Sequence, residues 1–319
     1  MIIAFEVRDD ELSYFKDYQN YNIKIVNALL NKANIDLCDN YLGVSIVGNS
    51  IIDKDIIDIL INKNIKYLST RTVGLDHIDV KYAKKVGLIV SNSSYPANGV
   101  SEFTIMLMLM AIRHTKTMIE RTNINDYSLV GLIGNQLSNM TIGVIGTGNI
   151  GAMVCKILYG FGCKILAYDN FEKDSLKDIV NYVGFEDLLR DSDLISLHIP
   201  YYLNDPYLID DKEINMMKKG VVIVNCARGQ LVSNKALIKG LDNHHIGALA
   251  LDTFENEKGI VFNDLRLRDI YDKDIVYLRQ CKNVIMTPHI AFYTDTNIKE
   301  MVRISMDWLI ACVNKKESS

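Results

Sequence analysis

Short apolar runs recur along the chain, bounded by polar or turn residues. They alternate with longer stretches whose apolar positions fall three and four apart. Strand-like and helix-like patterns in alternation predict parallel sheets covered by helices. Before residue 100 the strand candidates are 2–5, 23–26, 44–47, 67–69 and 88–90, with helices at 54–62 and 80–86. One long helix is expected over about 100–121. Further strands follow at 194–198, 221–225, 248–252 and 284–287, and a last helix covers about 297–313.

Between these lies a segment with chemistry in it. Thr141-Ile-Gly-Val-Ile-Gly-Thr-Gly-Asn-Ile-Gly151 reads as a buried strand breaking into Gly146-x-Gly148-x-x-Gly151. Asp169 stands 18 residues past the last glycine and closes a second strand, Lys164-Ile-Leu-Ala-Tyr-Asp169. Strand, tight turn, helix, strand and acid in that order form a dinucleotide-binding fingerprint. Gly146 makes the turn, Gly148 lets the backbone approach a pyrophosphate, and Gly151 lets helix pack on strand. Asn149 and Ile150 open the helix whose N-terminus faces the phosphates. Asp169 is placed to accept hydrogen bonds from a ribose diol. Asn170, Phe171 and Glu172 follow it with no Arg beside them, so a 2′-phosphate would meet a carboxylate without a cation, and NAD is expected over NADP.

A nucleotide-binding unit that begins only near residue 140 implies a separate domain ahead of it. The last helix has no strand partner left in that unit and is expected to return to the first. The expected layout is α/β, with two doubly wound parallel-sheet domains, Rossmann-like and flavodoxin-like, and a ligand cleft between them. Residues 1–97 plus 296–319 form a discontinuous substrate domain, and 98–295 the NAD-binding domain.

Composition narrows the class. The 319 residues are 49% hydrophobic and 23% charged, with a net charge of -4. No Lys/Arg cluster reads as a nucleic-acid footprint. Residues 103–112 form the longest apolar run, well short of the roughly 20 that a membrane span needs. They read as a helix buried on all sides or packed in a subunit interface. The apolar start Met1-Ile-Ile-Ala-Phe5 runs straight into Glu6, Arg8, Asp9 and Asp10, as a first buried strand does rather than a targeting segment. Six scattered cysteines without a CxxC spacing point to a reducing cytoplasm. His244-His245 has no other ligand nearby in sequence, and no metal site is expected.

Three strand ends combine polar and small residues. In Val224-Asn-Cys-Ala-Arg-Gly229, an Arg past a buried strand offers a planar fork suited to a carboxylate, though a structural ion pair would use the same residue. Leu251-Asp-Thr-Phe-Glu-Asn-Glu257 carries three acids, and in Thr287-Pro-His-Ile-Ala-Phe-Tyr293 a proline precedes His289. Hydride transfer to a ketone needs a proton donor, and His beside a carboxylate is a natural one near neutral pH.

These segments, with Arg71-Thr-Val-Gly-Leu-Asp-His-Ile-Asp79 and Tyr95-Pro-Ala-Asn-Gly-Val-Ser-Glu102, resemble the D-2-hydroxyacid dehydrogenase family over essentially the whole chain. The pattern is most similar to the D-lactate dehydrogenase branch, which includes vancomycin-resistance, D-2-hydroxyisocaproate and aryl-lactate enzymes. The resemblance implies NADH-dependent reduction of a 2-oxoacid to the (R)-2-hydroxyacid, with pyruvate to D-lactate as the leading expectation. Arg228 would hold the substrate carboxylate and His289 would be the acid–base residue. Glu257, rather than Glu255, would be its carboxylate partner. Backbone amides of Val73 and Gly74 would also bind the carboxylate. Tyr95 and Phe292 would line the substrate pocket, and Asp252 would sit near the nicotinamide carboxamide. A homodimer is implied, and the apolar helix around residues 106–110 is the candidate interface.

The chain departs from the family in two places. Tyr95-Pro96-Ala97-Asn98 stands where Tyr-Ser-Pro-Asn is common, which could shift the hinge or the tyrosine. Val47 aligns where lactate enzymes often carry an aromatic residue, leaving room for a branched or aromatic 2-oxoacid such as 2-oxoisocaproate or phenylpyruvate. A different class, an NAD-sensing corepressor-like binding protein, keeps the same dyad; the absence of basic tails argues against it.

Overall fold

The computed structural model describes residues 1–202 and 205–317, with side-chain surroundings as far as Asn314. The chain divides into two compact units, Met1–Pro96 with Tyr293–Ser319, and Ala97–Phe292. The last two positions of the expected 296–319 segment lie outside the described residues.

The first unit is a five-stranded parallel sheet. Its strands are β1 (Ile2–Ala4), β2 (Ile23–Ile25), β3 (Gly43–Ile46), β4 (Tyr67–Thr70) and β5 (Ile89–Asn92), in the order β2-β1-β3-β4-β5 of a flavodoxin-like sheet. β1 and β3 are buried along their whole length, Ser45 of β3 included. Asp53 caps the helix Lys54–Asn62 by accepting from Ile56 N at 3.0 Å. Asp79 caps Val80–Val86 in the same way, and Gly87 ends it in a left-handed turn at φ +86°. The final helix, Asp295–Glu317, lays Val302, Met306, Leu309 and Val313 against Ile2 and Ala4. That stripe follows helical spacing, and each such side chain contributes roughly 1.5–3 kcal/mol by leaving water.

The second unit is a seven-stranded parallel sheet. It contains β6 (Thr141–Ile145), β7 (Lys164–Tyr168), β8 (Asn181–Tyr182), β9 (Leu194–Leu197), β10 (Val221–Asn225), β11 (Ile246–Leu251) and β12 (Val284–Met286). The order β12-β11-β10-β9-β6-β7-β8 reverses direction between β6 and β9. That switch point is where doubly wound sheets receive ligands, beyond the carboxyl ends of their strands. Each face of this sheet carries its own apolar core.

The sequence pattern misses some local detail. The helix expected over 100–121 is two helices, Asn98–Ile112 and Thr115–Thr122. His114 between them has φ +52°, a left-handed backbone that no right-handed helix continues through. The Ile112 carbonyl accepts instead from Asn135 N at 3.0 Å. Within the helix segment 106–110, Leu107 and Met108 are fully buried in the core of their own unit, while Met106 is 40% exposed. Exposed apolar side chains lie further on, at Ile124, Tyr127, Leu129, Val130 and Ile133. Among the described residues, no helix is long and apolar enough to cross a membrane, and no group of three or more His, Cys, Asp or Glu could hold a metal ion.

Candidate active site

Because all seven strands of the second unit run parallel, their carboxyl ends share one edge. Four sequence-predicted segments stand there: the glycine turn after β6, Arg228 after β10, Asp252 after β11 and His289 after β12.

The glycine turn is built as its chemistry requires. Gly146 has φ +93°, and a side chain on it would come within 2.6 Å of the His198 carbonyl oxygen. A side chain on Gly151 would come within 1.9 Å of the Gly146 carbonyl oxygen, so the helix can start this close to the strand only with glycine. A Cβ on Gly148 would meet nothing within 4 Å; it would project into the open space at the N-terminus of the helix Asn149–Gly160. The Asp169 carboxylate meets this turn. Its Oδ2 accepts from Thr147 N at 2.6 Å and Thr147 Oγ1 at 3.1 Å, and its Oδ1 accepts from Phe171 N at 3.0 Å. Burial raises the Asp169 pKa, but these hydrogen bonds outweigh it and hold the carboxyl below its usual range, hence ionised. Tyr182 OH donates to Thr147 Oγ1 at 3.1 Å and accepts from Lys173 N at 3.0 Å, bracing the turn from β8. An open glycine cradle at a helix N-terminus with an ionised acid beside it fits a dinucleotide.

Across the same edge, His289 Nδ1 and Glu257 Oε1 are 2.7 Å apart, with side chains 25% and 18% exposed. Glu257 Oε2 accepts from Phe254 N at 3.3 Å, which fixes the carboxylate plane. With Nδ1 turned to Glu257, Nε2 is the ring nitrogen left to exchange a proton. Among the described residues it has no hydrogen-bond partner. Glu255, two residues before, faces elsewhere. It accepts from Tyr207 OH and Asn234 N, each at 2.5 Å, at the start of the helix Asn234–Asp242.

The backbone of His289 is left-handed, at φ +56°. Asp252 holds it there. This fully buried carboxylate accepts from Thr287 Oγ1 at 2.6 Å, Ile290 N at 3.0 Å and Ala291 N at 2.9 Å. The Asp252 carbonyl also takes His289 N at 2.9 Å. Both its carboxylate oxygens are thus engaged by the segment that carries the imidazole.

Arg228 follows an Asx-type turn in which Asn225 Oδ1 accepts from Ala227 N at 3.0 Å and Asn225 Nδ2 donates to Arg228 O at 2.8 Å. Its Nη1 donates to Ala227 O at 2.8 Å. A side chain on Gly229 would lie 2.0 Å from the Phe254 carbonyl carbon, so this turn packs directly on the segment that leads to Glu257. Burial pushes the intervening Cys226 thiol up to about 12, which removes it as a nucleophile.

The remaining candidates belong to the first unit, apart from Phe292, whose ring is 6.5 Å from that of His289. Val73 O accepts from Asn92 Nδ2 at 2.7 Å, and Gly74 O accepts from Thr72 Oγ1 at 2.7 Å, in the turn after β4. Val47 N donates to Glu6 Oε1 at 3.1 Å. Tyr95 lies just past β5. Sequence reasoning missed Phe262, whose ring lies 6.0 Å from that of His289. No periodicity or motif marks it; the only available signal was its place five residues after Glu257.

Residues 105–291 match the family described as D-isomer specific 2-hydroxyacid dehydrogenase, NAD binding domain. The chain is 36% identical to an aromatic 2-oxoacid reductase of Clostridium sporogenes over 310 residues, 96% of this chain and 94% of the relative. It is 34% identical to a D-lactate dehydrogenase of Lactiplantibacillus plantarum over 312 residues, again 96% and 94%. Among solved structures, D-lactate dehydrogenase from Aquifex aeolicus, complexed with NAD and lactic acid, superposes with a TM-score of 0.91 at 29% identity, covering 100% of this chain and 97% of that one. With its two parallel sheets and its dinucleotide cradle, the chain belongs to the D-isomer specific 2-hydroxyacid dehydrogenases, a family of NAD-dependent oxidoreductases.

Proposed function

We propose that this chain reduces a 2-oxoacid to the (R)-2-hydroxyacid with NADH, using His289 as the acid, Glu257 as its partner and Arg228 as the carboxylate anchor. The observation that carries this reading is the 2.7 Å His289–Glu257 pair, partly exposed on the sheet edge that holds the dinucleotide cradle. Gly146, Gly148, Asn149, Ile150 and Gly151 would hold the pyrophosphate of NADH and Asp169 its ribose. The bound cofactor supplies a hydride. Protonated His289 donates the Nε2 proton to the substrate carbonyl oxygen as the C=O π electrons move onto it. Glu257 accepts from Nδ1 throughout, so the ring keeps its orientation and tautomer. The Arg228 guanidinium pairs with the substrate carboxylate through two parallel N–H···O bonds, which fixes the carbonyl relative to the imidazole. The Asp252 carboxylate acts on the imidazole through the backbone of 287–291; its place near the carboxamide rests on the resemblance. So do the substrate roles of Val73, Gly74, Tyr95 and Val47.

Pyruvate is the leading substrate. A larger 2-oxoacid is the second reading, favoured by Val47 where an aromatic residue would narrow a pocket. The test is NADH consumption with pyruvate, 2-oxoisocaproate and phenylpyruvate, each over a concentration series, with the product resolved on a chiral column. The expected result is turnover yielding the (R)-enantiomer. Silence with all three would overturn the reading and return the NAD-responsive binding protein.

A further inference from the structure

Phe262 is held in a conformation that folding alone does not favour. The turn before it is closed by Ile260 N and Val261 N, both donating to Glu257 O, at 2.9 and 3.1 Å. Val261 is buried with Phe254 and Ile275, so the backbone is anchored one residue away. Phe262 itself has φ +64°, a left-handed conformation that bulky side chains avoid, and it is 52% exposed. Left-handed backbone at an exposed aromatic residue gains nothing for the core. What the conformation achieves is placement. The Phe262 ring lies 6.0 Å from the His289 ring at an interplanar angle of 37°, and 6.3 Å from Phe292 at 80°. The His289 and Phe292 rings are 6.5 Å apart at 82°. Three rings thus form a triangle with the candidate acid at one corner, and Phe262 belongs to the same turn as the acid's partner, Glu257.

We infer that Phe262 is a specificity-determining residue, whose ring joins Phe292 in an aromatic wall beside His289 that selects 2-oxoacids with an aromatic side chain. The inference rests on the reductase reading and develops its second substrate reading, a 2-oxoacid larger than pyruvate. A carbonyl that reaches Nε2 of His289 brings its own side chain up to these rings. A phenyl group there gains offset or edge-to-face ring contacts and loses water, whereas the methyl group of pyruvate gains little.

Steady-state kinetics of Phe262→Ala test this, with Phe262→Tyr as the variant that keeps the ring. In Phe262→Ala, kcat/KM should fall on the order of 10-fold for phenylpyruvate and change less than about 3-fold for pyruvate, and Phe262→Tyr should restore the difference. An equal loss on both substrates would make Phe262 a support for the dyad and overturn the inference, as would no change on either. Calorimetric titration of D-lactate and 3-phenyllactate into the protein with NAD reads the same wall without turnover. A selective loss of 3-phenyllactate affinity in Phe262→Ala supports it, and unchanged affinities overturn it. If the wild-type chain reduces no 2-oxoacid, the reductase reading fails by itself, and the calorimetry still decides the wall.

Discussion

Arg71 and His289 each stand just beyond a parallel strand and each pair with a glutamate, in surroundings that differ in every other respect. Arg71 Nε is 2.9 Å from Glu11 Oε1, and both side chains are 0% exposed. The remaining nitrogens of the guanidinium are also engaged: Nη1 donates to Ser45 Oγ at 2.8 Å and Nη2 to Phe5 O at 2.9 Å. The Phe15 ring centroid lies 5.7 Å from Arg71 Cζ, and Glu11 Oε2 takes Arg8 N at 3.0 Å. Every polar atom of that pair serves the fold. The His289–Glu257 pair is just as short, yet it is partly exposed, its backbone is left-handed, and one ring nitrogen has no partner among the described residues. A saturated, buried pair fixes structure; an unsaturated pair at a strand end keeps bonding capacity for something else.

The contrast can be broken by substitution. His289→Gln should lower kcat by about 10²–10⁴-fold, the range that a lost general acid accounts for, while urea unfolding moves by less than about 1 kcal/mol. Loss of activity and stability together would make this pair structural as well. Arg71→Met should do the reverse. It strands the buried Glu11 charge, so urea unfolding should show a loss of about 3–5 kcal/mol, with kcat per folded molecule retained. A stability change below about 1 kcal/mol would remove the distinction.

A second histidine sharpens the comparison with a smaller effect. His198, after β9, pairs its Nε2 with Ser196 Oγ at 2.8 Å, and burial lowers its pKa from 6.5 to about 4. Because the folded value lies below the unfolded one, the unfolded chain takes up the proton first as pH falls. This contribution to stability is complete above about pH 6.5 and is lost as pH falls toward 4, by about 3 kcal/mol. His198→Asn should flatten that part of the curve of unfolding free energy against pH; an unchanged acid slope would place the titration elsewhere.

The same comparison explains what the sequence reveals. Arg71 and Arg228 look alike in one dimension, each an arginine past a buried strand. The character that separates them, what the guanidinium meets, is set by loops far away in sequence. The glycine turn and Asp169 were legible because glycine identity reports its own backbone need, at φ +93° for Gly146 and at the close helix approach of Gly151. Helix starts at Asp53 and Asp79 were legible for a similar local reason. Local pattern left Glu255 and Glu257 equivalent, and only the family resemblance chose between them. The left-handed backbones of His114, Phe262 and His289 left no trace, since nothing in those residue types requires the conformation. The break in the long helix and the ring beside the imidazole were invisible for that reason.

Asp252 has a consequence for how this protein can diverge. It grips the segment that carries His289 through the amides of Ile290 and Ala291 and the hydroxyl of Thr287, never through a side chain beyond that threonine. A backbone N–H is the same whatever residue other than proline bears it. A change of side chain at Ile290 therefore leaves that grip intact, whereas Ala291 is buried and Phe262 and Phe292 are not held by Asp252. On the proposed reading, a side chain could change there, and with it what a substrate meets, while the imidazole keeps the place its backbone gives it.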